Sequence, residues 1–174
     1  LQSVSQVEQA RHSFGSALFS VETATGSRFD QWVKSVGIDF VLVAPEDKPL
    51  YHAGAVFASN FLTTVMDTAI RLFESVGFTE EEAVRGLMPL IRGSVTNVER
   101  FGPEKALTGP IARGDCDTVA RHLEALKSHP ETKQLYISLA QETLSLAKRH
   151  KLKDSEAAAA IETLLTEEAQ KSER

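Results

Sequence analysis

The chain of 174 residues is poor in cysteine, tryptophan, methionine and tyrosine, with one, one, two and two of them. With Cys116 alone no internal disulfide can form, so a reducing, cytoplasmic compartment is expected rather than a stapled secreted scaffold. No apolar run reaches about 18 residues and nothing at the start has a signal-peptide pattern, so no membrane span is predicted. Basic charge is in deficit: 19 Lys and Arg against 24 Asp and Glu leave a net charge of -5. That argues against a general nucleic-acid binder, whose surface has to neutralise phosphates. There is no G-x-G-x-x-G followed by an acidic residue, hence no pyrophosphate cradle. His12, His122, His129 and His150 lack metal-ligand spacing with cysteine or carboxylates, and no serine sits in a nucleophile elbow. These histidines read as surface residues, and Cys116 as a small residue in a first helical turn.

What is present is 42% hydrophobic and 25% charged, enough for one ordinary domain, or one domain and part of another. The chain opens at Leu1 with "LQSVSQVEQARHSF", which reads as the continuation of something longer. Residues 1–45 differ from the rest. "SALFSVET" (16–23) and "IDFVLVAP" (38–45) are β-branched and aromatic runs, and "GSRFDQWVKSVG" between them has a helical pattern with Ser27 as N-cap. Two strands and a helix are too little for an independent core, so they are expected to be the tail of an α/β domain.

From residue 46 to 174 the pattern is helical. "DKPLYHAGAVFASNFLTTVMDTAIRLFESVG" predicts one helix of about thirty residues, on the order of 40 Å long, closed by Gly77. Thr79 and Glu82 form a capping box for a second helix, expected to bend at Pro89 and to end near Phe101 before Gly102 and Pro103. Asp115 caps a third helix reaching about Ser128, Pro130 starts a fourth, and Asp154 or Ser155 caps a fifth, alanine-rich one. The last residues, "EEAQKSER", are expected to fray.

The long helix is apolar around most of its circumference, which calls for packing on several sides. One stripe differs. At 100° per residue His52, Ser59 and Thr63 fall within about 40° of arc, with Val56, Asn60 and Asp67 beside them. Imidazole, hydroxyl and amide groups suit a half-buried cleft where hydrogen bonds orient a ligand. They also suit a groove whose polar groups merely satisfy one another, and Arg71 and Glu74 continue the stripe as ordinary solvent face.

The break at 102–114 is longer than the two to eight residues usual between helices. Gly109 precedes Pro110, Gly114 permits a positive φ, and Asp115 then starts a helix. A glycine-bearing turn entering a helix beside Arg113 suits an anion, and Thr108, Gly109, Arg113 and Asp115 are the candidates. The alternative is a plain turn with an N-cap and a solvent-exposed Arg113–Asp115 pair.

"APEDKPLYHAGAVFASNFLTTVMDTAIRLFESVG", "LMPLIRGSVTNVERFGPEKALTGPIARGD" and "VARHLEAL" resemble the C-terminal domain of a bacterial family in which a Rossmann-like NADP-binding domain precedes a helical domain of unknown function (2520). That family is similar in architecture to pyrroline-5-carboxylate reductase, ketopantoate reductase and β-hydroxyacid dehydrogenases. The resemblance implies a 6-phosphogluconate dehydrogenase C-terminal-like helical domain around one long central helix. It implies NADP as cofactor, an active site between the two halves, and a homodimer formed through the helical half. It also implies that residues 1–45 close the Rossmann sheet. β-Hydroxyacid dehydrogenases carry a lysine four residues before an asparagine on this helix. Asn60 has the asparagine's place, but the lysine's place is held by Val56, which leaves His52 on the same stripe as the candidate proton donor.

The expected function is therefore the substrate-binding and dimerisation half of an NADP-dependent oxidoreductase. His52 and Asn60 are assigned catalysis, Ser59 and Thr63 substrate binding, and Thr108, Gly109, Arg113 and Asp115 an anion-binding or interface turn. The competing expectation is a non-catalytic helical module for dimerisation or ligand binding.

Overall fold

In the computed structural model, which describes residues 18–23, 26–35 and 40–172, two short parallel strands precede a succession of helices. "LQSVS", His12 and the first residues of the "SALFSVET" run lie outside the described residues. The mainly α fold with a small strand-helix-strand segment agrees with the sequence expectation. The chain divides into two compact units, Leu1–Ala69 and Ile70–Arg174.

In the first unit β1 (Phe19–Glu22) pairs in parallel with β2 (Phe40–Val43), Phe19 opposite Phe40 and Glu22 opposite Val43. Helix α1 (Arg28–Ser35) joins them. Ser27 is its N-cap, accepting the Asp30 N–H over 3.1 Å. The Asp30 carboxylate turns back to the Gly26 N–H and to Lys34 Nζ, each at 2.9 Å. Those two donors hold its pKa below the ordinary carboxylate value, Lys34 most strongly. Among the described residues here the only buried hydrophobic side chain is Val33. Phe29, Trp32 and Val41 stand exposed on these elements.

A 3₁₀ turn (Pro45–Asp47) leads into a continuous rod: α2 (Lys48–Val56), a π-helical segment (Phe57–Phe61) and α3 (Leu62–Glu74). The first turn of the rod is tied to β1 by a Ser20–Tyr51 hydroxyl contact of 2.8 Å and a Lys48–Glu22 ion pair. Only Thr68 of the rod is buried. Its sequence calls for cover on several sides, yet Leu50, Phe57, Phe61, Leu62 and Val65 stand exposed.

In the second unit Gly77, with φ 101°, ends the rod, and the capping box forms as expected: Thr79 Oγ1 accepts the Glu82 N–H while Glu82 accepts the Thr79 N–H. Both Thr79 donors lower the Glu82 pKa, the backbone one more. Helix α4 (Glu80–Ala106) keeps helical dihedrals through Pro89 and departs from them only at Gly102 (φ 74°, ψ 164°). Of its apolar residues Ala83 and Leu87 are buried, whereas Leu90, Val95, Val98 and Phe101 are exposed.

The core lies further on. A one-turn helix α5 (Pro110–Arg113), α6 (Cys116–Ala125) with a following 3₁₀ turn (Leu126–Ser128), α7 (Pro130–His150) and α8 (Ser155–Ser172) pack around Leu123, Ile137, Ile161 and Leu165, each nearly or wholly inaccessible. Cys116 lies in a first turn, partly buried.

Two expectations need correction. The stretch 102–114, read as a long loop, is largely helical: Pro103 to Ala106 close a turn after Gly102, and Pro110–Arg113 form another. Each proline starts a turn because its fixed φ suits a first helical position. Of the "EEAQKSER" stretch expected to fray, residues 167–172 are helical, the last turns of α8. Glu168 is bound by Lys133 at 2.5 Å and Lys171 at 2.6 Å, which fastens the final turns to α7.

Candidate functional site

The polar stripe lies on the rod of the first unit, and the π turn falls in its middle. A π turn closes i to i+5 bonds, so each residue advances by less than the α-helical 100° and the residues after it are rotated relative to those before. The straight column from His52 to Thr63 is thereby bent at Ser59 and Asn60. Such widened turns occur frequently at functional sites. No α-helical periodicity could have revealed this one.

Hydroxyls line the widened turn. Ser59 Oγ lies 2.7 Å from the Ala55 carbonyl oxygen and 3.0 Å from Asn60 Oδ1. Thr63 donates to the Ser59 carbonyl over 3.1 Å and Thr64 to the Asn60 carbonyl over 3.2 Å. These back-bonds satisfy carbonyls at and around the wide turn, and Ser or Thr bonding to the i−4 carbonyl commonly bends a helix. His52, Ser59, Asn60 and Thr63 are all exposed, so the stripe presents imidazole, hydroxyl and amide groups on an open surface. Its neighbours on the rod are the exposed rings of Phe57 and Phe61, packed edge to face with centroids 4.8 Å apart.

Thr108, Gly109, Arg113 and Asp115 belong to the second unit. Gly109 (φ 100°) turns the chain into α5, and Gly114 (φ 74°) ends it left-handed. A Cβ on Gly114 would stand 2.8 Å from Ala157 Cβ, so this glycine permits close approach to α8. Asp115 is the N-cap of α6: its carboxylate accepts the Thr118 N–H over 3.0 Å and the Thr118 hydroxyl over 2.7 Å, and both lower its pKa, the hydroxyl more. Arg113 stands 3.9 Å away. The helix N-terminus is thus occupied by the chain's own carboxylate, with the exposed Arg113 paired to it. The structure brings Ser59 to Asn60 and Arg113 to Asp115; Thr108 faces elsewhere.

Thr108 lines a cleft of about 320 Å³ together with Pro110, Ile111 and His122 on one side and residues of α7 on the other. There the His122 ring nitrogen Nδ1 lies 3.0 Å from Tyr136 Oη, the rings edge to face. Burial raises the pKa of the Tyr136 phenol. Sequence reading placed His122 on the surface without a role. Its position could have drawn notice: His122 and Tyr136 stand seven residues either side of His129, at the turn of the α6–α7 hairpin, where residues equidistant from the turn meet. A larger hollow of about 530 Å³ is lined by Val76, Gly77, Phe78, Glu82, Arg85 and Gly86, but its carboxylate is engaged by the Thr79 cap.

Among the described residues no three His, Cys, Asp or Glu side chains come together as metal ligands, and no helix is long and apolar enough to cross a membrane. The helix N-terminus that follows β1 is closed by Ser27, with the Asp30 carboxylate on the Gly26 N–H, where a pyrophosphate would meet a negative charge.

Comparison with known proteins gives a family match over residues 18–143, to a domain of unknown function (DUF2520). The fold is similar to the crystal structure of protein TM1727 from Thermotoga maritima, at 25% identity and a TM-score of 0.73, covering 84% of this chain and 59% of that one. The chain thus spans about three-fifths of the length of that protein. No curated protein matches it.

Proposed function

The chain belongs to the DUF2520 family, and we propose that it forms the helical substrate-binding and dimerisation half of an NADP-dependent oxidoreductase. The observation that carries this reading is the rod: a hydroxyl and amide stripe at a π turn, flanked by the exposed apolar residues Leu50, Phe57, Phe61, Leu62 and Val65. Full burial of such a side chain is worth roughly 1.5–3 kcal/mol over full exposure, and Leu50 and Phe57 are the most exposed of the five, which favours a covering surface. A second copy of the chain supplies one by two-fold pairing of rod with rod. The oxidoreductase assignment rests on the family resemblance to reductases built around a comparable helix.

In this reading Ser59, Asn60 and Thr63 orient a substrate by hydrogen bonds, and His52 carries a proton to or from it. Val56 stands where related dehydrogenases have a lysine, so the imidazole takes that part. In this reading the nicotinamide cofactor is held mainly by a separate nucleotide-binding half. Arg113 serves as the anion-holding group of its turn.

The test uses the full-length protein. Calorimetric titration with NADPH should show binding, and His52→Ala and Asn60→Ala should each lower turnover, or NADPH-linked ligand binding, by at least tenfold. Unchanged behaviour in both variants removes the stripe from the mechanism. Absence of NADPH binding leaves a non-catalytic association module.

A further inference from the structure

The cleft beside Thr108 belongs to the second unit and takes no part in the proposed oxidoreductase chemistry, so the two stand or fall separately. Its construction is specific. Gly109, with φ 100° and ψ −177°, turns the chain so that Thr108, Pro110 and Ile111 form one wall. Helix α7 supplies Tyr136, Leu139, Ala140 and Thr143 at i, i+3, i+4 and i+7, a single helical face. His122 of α6 completes the lining.

The chemistry of the lining narrows the occupant. No Lys, Arg, Asp or Glu is among these residues, so neither a phosphate nor an ammonium group meets a counter-charge there. The polar groups are one imidazole, one phenol and two hydroxyls. Thr143 Oγ1 donates its proton to the Leu139 carbonyl over 2.7 Å. The Tyr136 phenol and His122 Nδ1 share a hydrogen bond in which either can be the donor. A neutral imidazole that accepts at Nδ1 carries its proton on Nε2. His122 is exposed, so in that tautomer its Nε2–H is open to a ligand. Leu139, 45% exposed, gives an apolar surface that a ligand ring would cover. About 320 Å³ is room for roughly ten waters, hence for a ligand of a single ring.

We propose that this cleft binds a small uncharged molecule with an aromatic or branched apolar body and one carbonyl or amide oxygen. In that complex the Tyr136 phenol donates to His122 Nδ1, the ligand oxygen accepts from His122 Nε2–H, and the body lies on Pro110 and Leu139. Tyr136 is a positioning residue: it fixes the imidazole tautomer.

Benzamide, benzoate and benzamidine have nearly the same shape and differ in charge, which makes them the probes. In 1H–15N NMR titrations of the whole chain, benzamide should cause saturable shifts at Thr108, Ile111, His122, Tyr136 and Thr143, with a Kd on the order of millimolar for so small a ligand. Benzoate and benzamidine should bind at least fivefold more weakly. His122→Ala, at an exposed helical position, should weaken benzamide about tenfold. Tyr136→Phe keeps the ring, and should weaken benzamide about threefold while moving the His122 side-chain 15N shifts away from the pure Nε2–H pattern. The proposal is overturned by a titration that does not saturate, by shifts centred elsewhere, by a charged probe binding as well as benzamide, or by both variants binding as the wild type does.

Discussion

Lys133 Nζ donates to Glu168 Oε2 over 2.5 Å across the α7–α8 contact, with both side chains nearly out of solvent, and Lys171 approaches the other oxygen of the same carboxylate at 2.6 Å. The two ammonium groups, Lys133 first, bring the Glu168 pKa down from 4.5 to about 2. A carboxylate depressed on folding contributes stability that is fully present above its unfolded value and is lost as pH falls through the folded one. The contribution should therefore fade between about pH 4.5 and pH 2.

Glu168→Gln leaves Lys133 in a buried position without its anion and should destabilise the chain by about 1–3 kcal/mol at neutral pH. Urea unfolding at several pH values should show the wild type losing this increment on acidification and the variant showing a flatter response over the same range.

Gly114 and Gly109 form a matched pair of tests. Both have positive φ, but a Cβ at Gly114 would meet Ala157 Cβ at 2.8 Å and Leu152 Cδ1 at 3.1 Å, while at Gly109 it meets nothing within 4 Å. Gly109→Ala should cost only backbone strain, at φ 100° and ψ −177° in a region nearly reserved for glycine, about 1–3 kcal/mol. Gly114→Ala adds overpacking against α8 and should cost about 2–4 kcal/mol. A Gly114→Ala loss in thermal or urea unfolding no larger than the roughly 1–2 kcal/mol of left-handed strain alone would show that α8 gives way freely.

Asp115→Ala removes both acceptors of the Thr118 donors and should lower the midpoint of thermal unfolding, whereas Asp115→Asn keeps a capping oxygen and should lose less. Because the Asp115 pKa lies below its ordinary 3.8 in the folded chain, the wild-type advantage over Asp115→Asn should shrink as pH falls below that value. Circular dichroism melts at neutral and acid pH measure this.

Phe57→Glu with Leu62→Lys places charges on the exposed apolar side of the rod. If that side is the surface between two copies, sedimentation equilibrium should show a dimer for the parent chain and a monomer for the double variant, with helix content unchanged. A monomeric parent removes the dimer from the proposed function.

Local rules carried the sequence reading a long way. The capping box at Thr79 and Glu82, the caps at Ser27 and Asp115, the helix start at Pro130 and the left-handed glycines at 77 and 114 all depend on neighbours within about four residues, and each lies where it was expected. The site was less legible. The π turn at Phe57–Phe61 leaves no trace in an α-helical periodicity, so the column through His52, Ser59 and Thr63 could not be seen to bend. His122 and Tyr136 are fourteen residues apart and meet only because a hairpin folds them together.

The amino-acid order by itself determined most of the helix and strand segments and their caps, though not the turns within 102–114 or the π segment, and that the rod is apolar beyond what a lone helix tolerates. Those properties follow from short-range sterics, capping and hydrophobic spacing. Tertiary packing decided that Gly114 lets α5 approach α8, that Lys133 reaches Glu168, and that Thr108 shares a cleft with His122 and Tyr136. Contacts between residues far apart along the chain exist only after helices have docked, because docking is what brings such side chains within hydrogen-bonding distance.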